Sequence, residues 1–217
     1  MGSGLNLLIN FHNLYARKIS NHMQEYWIRW ENWMKQYAPG LLSILQPGAS
    51  FEAVASLEKL IGATLPKSFK AFYAIHNGQV KARTGLVDAD QLLSIADITT
   101  QWHHWKDLAD SDTFTYNDEP ILSAPDTGIK NDWWNPLWIP ITGDGFGNHL
   151  CIDLDPAPEG KSGQIITLWH DDPHRAIVAP SFEEWIKDYL NALEKGDYIF
   201  VKKWGIVHKD TFLNYND

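Results

Sequence analysis

A single cysteine, Cys151, serves the whole 217-residue chain, so no intrachain disulfide exists and the fold is not a disulfide scaffold. None is needed: a chain this long buries roughly 70% of its unfolded surface. Basic residues are also scarce, with 18 Lys and Arg against 27 Asp and Glu and a net charge of −9. Such a surface binds phosphate poorly, which argues against nucleic acid, and it suits a basic partner. No apolar run approaches the ~20 residues of a membrane span. The apolar stretch from Gly4 to Asn10 has no basic start and no small-residue cleavage site, and Asn10, His12 and Asn13 interrupt it, so it is not read as a signal peptide. A reducing, cytoplasmic compartment and one domain are the expectation, with no linker and no internal repeat.

Aromatic residues are in surplus, with 11 tryptophans. Many stand at helical spacing. Residues 5–18 form a first amphipathic segment, and Asn21, with Gln24 three residues on, resembles a capping box. Met23, Trp27, Trp30, Met34 and Tyr37 then make one stripe that Pro39-Gly40 ends. Such a stripe favours core packing, with a partner groove or dimer contact as the other reading. A helix from Ser50 to Gly62 buries Val54, Leu57, Leu60 and Ile61. Another begins near Pro66, carries Phe69, Phe72, Tyr73 and His76, and ends at Asn77-Gly78. Trp102 and Trp105 share a helix face, and Ser181 caps a last helix with Phe182, Trp185, Tyr189 and Leu193 inward.

The centre of the chain has a different period. Trp138–Ile141, His149–Asp155, Gln164–Thr167 (extended by Leu168-Trp169-His170) and Arg175–Ala179 are short strands separated by Gly, Asp, Asn and Pro clusters. They predict an antiparallel meander, with Leu150, Ile152 and Leu154 on one face and His149, Cys151, Asp153 and Asp155 on the other. Tyr198–Val201 adds a strand. The fold class is therefore α+β: a single domain over 23–217 with a mostly antiparallel, mixed sheet and helices packed against it, plus an N-terminal helical appendage over 1–22.

Three polar clusters are candidates for chemistry. Gly143, Gly145 and Gly147 alternate, but they lead into a strand, so no helix N-terminus stands ready for a pyrophosphate and turn-forming positive φ is the favoured role. His103 and His104 are adjacent, about 100° apart on a helix, and cannot chelate one ion as an i, i+4 pair does. His170-Asp-Asp-Pro-His174, with Asp153 and Asp155 on a neighbouring strand, offers imidazoles and carboxylates, yet Pro173 favours a turn. No catalytic, cofactor or metal residues are assigned. Residues 107–132 form a long polar loop rich in aspartate, read equally as solvated surface or partner contact.

The segments Leu57-Glu58, Leu65-Pro66-Lys-Ser68-Phe69 through Phe72-Tyr73 and Asn77-Gly78 resemble the first signature of the SUKH superfamily. Trp138-Ile-Pro140, Asp144-Gly145, Gly147-Asn148 and Ile152-Asp153 are similar to its second, and Ser181-Phe182-Glu-Glu-Trp185 to its third. That superfamily contains fungal regulators of cell-wall synthesis and bacterial immunity proteins of polymorphic toxin systems. The resemblance implies an α+β binding protein without catalysis. Short flanks favour the bacterial branch: an immunity protein, in a setting such as type VI secretion, that neutralises a cognate toxin by direct contact. If that toxin is a basic nuclease, acidic side chains would occlude its cleft. Asp107, Asp110, Asp112, Asp118 and Glu119, with Trp133 and Trp134 as anchors, are the expected contacts, chosen for charge and loop length. The alternative is an intracellular regulatory or scaffold protein, and a metal-dependent enzyme using the His170–His174 region ranks third.

Overall fold

Serine side chains begin three of the helices. Ser50 Oγ accepts from the Ala53 amide (3.1 Å), Ser94 Oγ from Asp97 (3.1 Å) and Ser181 Oγ from Glu184 (3.2 Å). The structure is a computed structural model that describes residues 3–214, with side chains described from 18 to 212. The longer helices are α1 (Ser3–Tyr37), α2 (Phe51–Ile61), α3 (Lys67–Tyr73), α4 (Ile95–Asp110) and α5 (Phe182–Lys195), with a short 3-10 turn at Pro39–Ile44 and a short helix at Lys209–Asn214. Glycines in the left-handed region, Gly62 and Gly196, end α2 and α5.

Helix α1 is continuous through Asn21, where the sequence had suggested a fresh start. No Gly or Pro lies between Ala16 and Asn21 to stop a helix, and Ile19 is already buried. Met23, Trp27, Trp30 and Met34 are fully buried, whereas Tyr37 turns outward at the helix end. Trp27 stacks on Phe72 (4.5 Å between ring centroids) and donates its indole N–H to the Phe72 carbonyl at 3.0 Å. Trp33 donates likewise to Leu193 O at 3.1 Å. Eight of the eleven tryptophans are buried, so the surplus mainly builds core and ties helices to carbonyls.

The main sheet is the expected meander: β1 (Trp138–Pro140), β2 (His149–Asp153), β3 (Gln164–Leu168) and β4 (Ile177–Ala179), antiparallel in the order β4-β3-β2-β1. Its register pairs Asp153 with Gln164 at one end and His149 with Leu168 at the other. Cys151 and Ile152 point to opposite faces and are both fully buried, so both faces are covered. Helix α4 packs on β1, and α5 on β3 and β4. Buried Asp153 accepts from Gln164 Nε2 at 2.8 Å and from the Asp155 amide at 3.0 Å.

Shorter ladders surround this sheet. Tyr198–Val201 pairs with Gly205–His208, as the aromatic tail suggested, and Gln91–Leu92 pairs with Thr142–Gly143. The stretch His76–Gln79 is not the end of a helix but a strand antiparallel to Leu45–Pro47. Helix α3 stops at Tyr73, and the strand after it carries the buried Gln79 side chain. It donates to Thr84 O and accepts from the Leu86 and Leu92 amides. Asn77 Oδ1 accepts from the Ile95 amide, satisfying the first turn of α4, and Gly78 (φ 62°) lies so close to the Leu92 and Leu93 carbonyls that a Cβ would sit 2.5 Å away.

Candidate functional site

Polar chemistry concentrates where α4 faces the turn between β1 and β2. Asp144 holds that turn from within: Oδ1 accepts from the Phe146 amide (2.7 Å) and the Asn148 amide (3.0 Å), while Oδ2 accepts from Asn148 Nδ2 (2.7 Å). Gly145 (φ 86°) and Gly147 (φ 107°) supply the left-handed geometry, and Gly143 does not. The glycines are thus turn formers around an aspartate, which takes the Phe146 and Asn148 amides for itself. The result is an outward Phe146, 81% exposed.

Two cavities flank Phe146 and share His104, Phe146 and Gly147 as walls. The larger, about 430 Å³, has mixed polar and apolar walls and reaches Lys81, Gln91, Asp97, Gln101 and His149. The smaller, about 330 Å³, is walled mainly by apolar groups: Trp105, Leu108, Phe114, Ile121 and Trp133, with His170 at its edge. Buried His149 donates Nδ1–H to the Thr142 carbonyl at 2.7 Å, leaving Nε2 without a partner. Burial pushes this imidazole below its ordinary pKa and keeps it neutral. Thr142 Oγ1 accepts from the Leu150 amide and donates to Asp90 Oδ2 at 3.3 Å. Burial, with the neighbouring Asp144 charge, pushes the Asp90 carboxyl up to about 7.

The histidine clusters meet only where His104 and His170 line the smaller cavity. His103 and His104 are exposed on α4. His170 bonds Asn148 Oδ1 through both its amide and Nδ1 (3.0 Å each), and His174 bonds Asp172 Oδ1 at 2.8 Å in an exposed turn. Asp153 stands at the far end of β2 from His170, four residues of strand away from His149, and Asp155 is engaged by Lys130 at 2.6 Å. Among the described residues, no three His, Cys, Asp or Glu side chains are grouped to hold a metal ion.

The acidic residues divide differently from the sequence reading. Asp107 and Asp110 lie on the last turns of α4, while Asp112, Asp118 and Glu119 are on the loop beyond it, and all five are exposed. A small hairpin (Thr115–Tyr116 with Glu119–Pro120) and a parallel ladder (Ala124–Pro125 with His174–Arg175) give the loop structure. Trp133 is half-buried on the cavity wall. Trp134 is 8% exposed and stacks on Trp105 at 6.5 Å, so it supports the wall from behind. Phe114, Ile121 and Phe146 escaped the sequence reading. Only Phe146 left a signal, a large apolar side chain with glycine on both sides in a turn.

The signature residues can be weighed against known families. A family model, the SMI1 / KNR4 family (SUKH-1), matches residues 48–188, and the chain belongs to that family. It is 23% identical over 228 residues to the cell wall assembly regulator SMI1 of Saccharomyces cerevisiae, covering 89% of this chain and 45% of that protein. It is 26% identical over 202 residues to the glucan synthesis regulatory protein of Neurospora crassa (78% and 38%). Against the cell wall biosynthesis/cell cycle regulator smi1 of Schizosaccharomyces pombe it is 29% identical over 187 residues (82% and 37%). The chain therefore spans less than half the length of each.

These relatives overturn the expectation of a bacterial immunity protein, its type VI secretion setting and its toxin partner: they are named as fungal regulators. The superfamily signatures could not choose the branch because they are structural. Glu58 accepts from the Leu65 amide and from Lys70, Asn77 caps α4, and Asp144 and Asn148 hold the glycine turn. No helix among the described residues is long and apolar enough to cross a membrane.

Proposed function

We propose that this chain is the folded binding part of a regulator of fungal cell-wall synthesis, acting by contact with other proteins in the cytoplasm and without catalysis. What carries the reading is the family match over residues 48–188 together with relatives named as regulators of wall assembly and glucan synthesis. Residues 23–217 form the binding domain and residues 1–22 a helical appendage joined to it through α1. The exposed carboxylates of Asp107, Asp110, Asp112, Asp118 and Glu119 form the contact face, with Trp133 at the cavity wall and Trp134 holding that wall. Function on such a scaffold lies in the grafted surface and not in the fold itself.

Deleting the gene in its source organism and measuring wall β-glucan and survival under wall-stress dyes tests this. Reduced glucan or dye hypersensitivity, restored by the re-introduced gene, is expected. Unchanged glucan and unchanged survival would overturn the reading.

A further inference from the structure

We propose that the apolar cavity beside Phe146 receives a short extended segment of a partner protein, in which one or two large apolar side chains are flanked by lysine or arginine. This rests on the protein-binding reading above and specifies its surface. At about 330 Å³ the cavity lies at the low end of the ligand-pocket range, large enough for a bulky side chain. Its walls are aromatic and aliphatic, and Phe146 stands 81% exposed at the rim. Tyr116 (73% exposed) and Leu122 (58% exposed) add apolar surface on the loop that supplies Phe114 and Ile121. Apolar surface gathered around a cavity and rimmed by polar groups marks a contact site. One lining residue, Trp105, also holds a buried ring nitrogen with no hydrogen-bond partner.

Charge sets the partner's chemistry. Residues 107–129 carry six carboxylates (Asp107, Asp110, Asp112, Asp118, Glu119 and Asp126) and no lysine or arginine. Among the described residues only Asp110 of these six has an ion-pair partner, Lys106. Asp107 and Asp110 sit at the C-terminal end of α4, whose last turn has no basic residue, so their charge opposes the helix dipole. Stability alone would place cations there. A cationic segment laid across this end relieves that repulsion and is steered to it. The same charge repels phosphate, which disfavours nucleic acid or an anionic membrane as the occupant.

The probe is the fluorescein-labelled peptide Arg-Lys-Ser-Leu-Trp-Ser-Lys-Arg, titrated against the full chain by fluorescence anisotropy. One control replaces every cation with Glu, and another replaces Leu-Trp with Ser-Ser. Saturable binding is expected, at least tenfold weaker for each control. It should also be at least fivefold weaker for Phe146→Ser and for Asp110→Lys combined with Glu119→Lys, exposed changes that leave the circular dichroism spectrum intact. Absence of saturable binding, or binding that both variants retain, would overturn the proposal. So would sedimentation showing that a second copy fills the cavity, as a dimer that Phe146→Ser dissolves. Cells carrying Phe146→Ser separate the two readings. Normal walls despite lost peptide binding would sink the cavity proposal and leave the regulator reading standing, whereas a gene deletion without wall phenotype sinks the latter.

Discussion

The guanidinium of Arg175 donates to the Trp133 carbonyl at 2.9 Å and lies 5.3 Å from the centre of the Trp133 ring. Arg175 is 1% exposed, and its other bonds run to the carbonyls of Asp172 (2.5 Å) and His174 (2.9 Å). Burial lowers its pKa to about 10, still charged at neutral pH. One planar cation therefore joins the turn after β3 to the exit of the acidic loop and fixes the wall on which Trp133 stands. Arg175→Met should cost about 2–4 kcal/mol, since three carbonyls lose a charged donor. Arg175→Lys should recover less than half of that, because an ammonium cannot present the same fork. Urea denaturation of the three proteins checks both.

The core bond between helices is equally open to test. Trp27 is fully buried, stacked on Phe72 and Trp30, and packed edge-on against His76. Trp27→Ala should destabilise by about 3–5 kcal/mol. At this chain length that lowers the melting temperature by roughly 6–20 °C. Phe51→Ala, which removes an 81% exposed ring, should change it by no more than about 2 °C. Calorimetry on both variants decides the matter.

Asp90 gives the stability a pH dependence of definite sign. Its folded pKa of about 7 lies above the unfolded value near 3.8, so the folded state holds the proton more tightly. That contribution is complete below pH 4 and is lost as pH rises from 4 through 7. Asp90→Asn, which cannot ionise, should therefore gain on the wild type by an amount on the order of 2–4 kcal/mol between pH 4 and pH 8. Unfolding free energies of both proteins across this range provide the comparison.

Cys151 is fully buried in β2, and burial pushes its thiol well above the ordinary value. Native protein should leave Ellman's reagent unreacted over an hour at pH 8, and one thiol per chain should appear in denaturant. Rapid labelling of the native chain would mean that β2 is not held between two covered faces.

The patterns that were legible are those where local period and packing agree. The β1–β4 meander, the Ser50 and Ser181 caps and the inward stripe of α5 follow from spacing alone. Where a residue's role is set by a distant partner, the sequence misleads. His76 continues the helical spacing of Phe69 and Phe72, but its ring bonds Gln46 O and Glu31 in a strand. Asn21 resembles a cap, yet α1 passes through it. The acidic charge of residues 107–119 was legible, but the cavity beside Leu108 and Phe114 was not, because Trp105, Trp133 and Phe146 reach it from distant parts of the chain. Signature residues that build turns and caps identify the superfamily while carrying nothing about its branch.

Hydrogen exchange on the chain in complex with the partner cross-linked to it in its source cells tests the central claim most directly. The account predicts slowed exchange in residues 103–121, 143–148 and 169–172, with α1 and α5 unchanged. Protection confined to α1, α5 or the β4 edge, with those three segments exchanging as in the free chain, would contradict it.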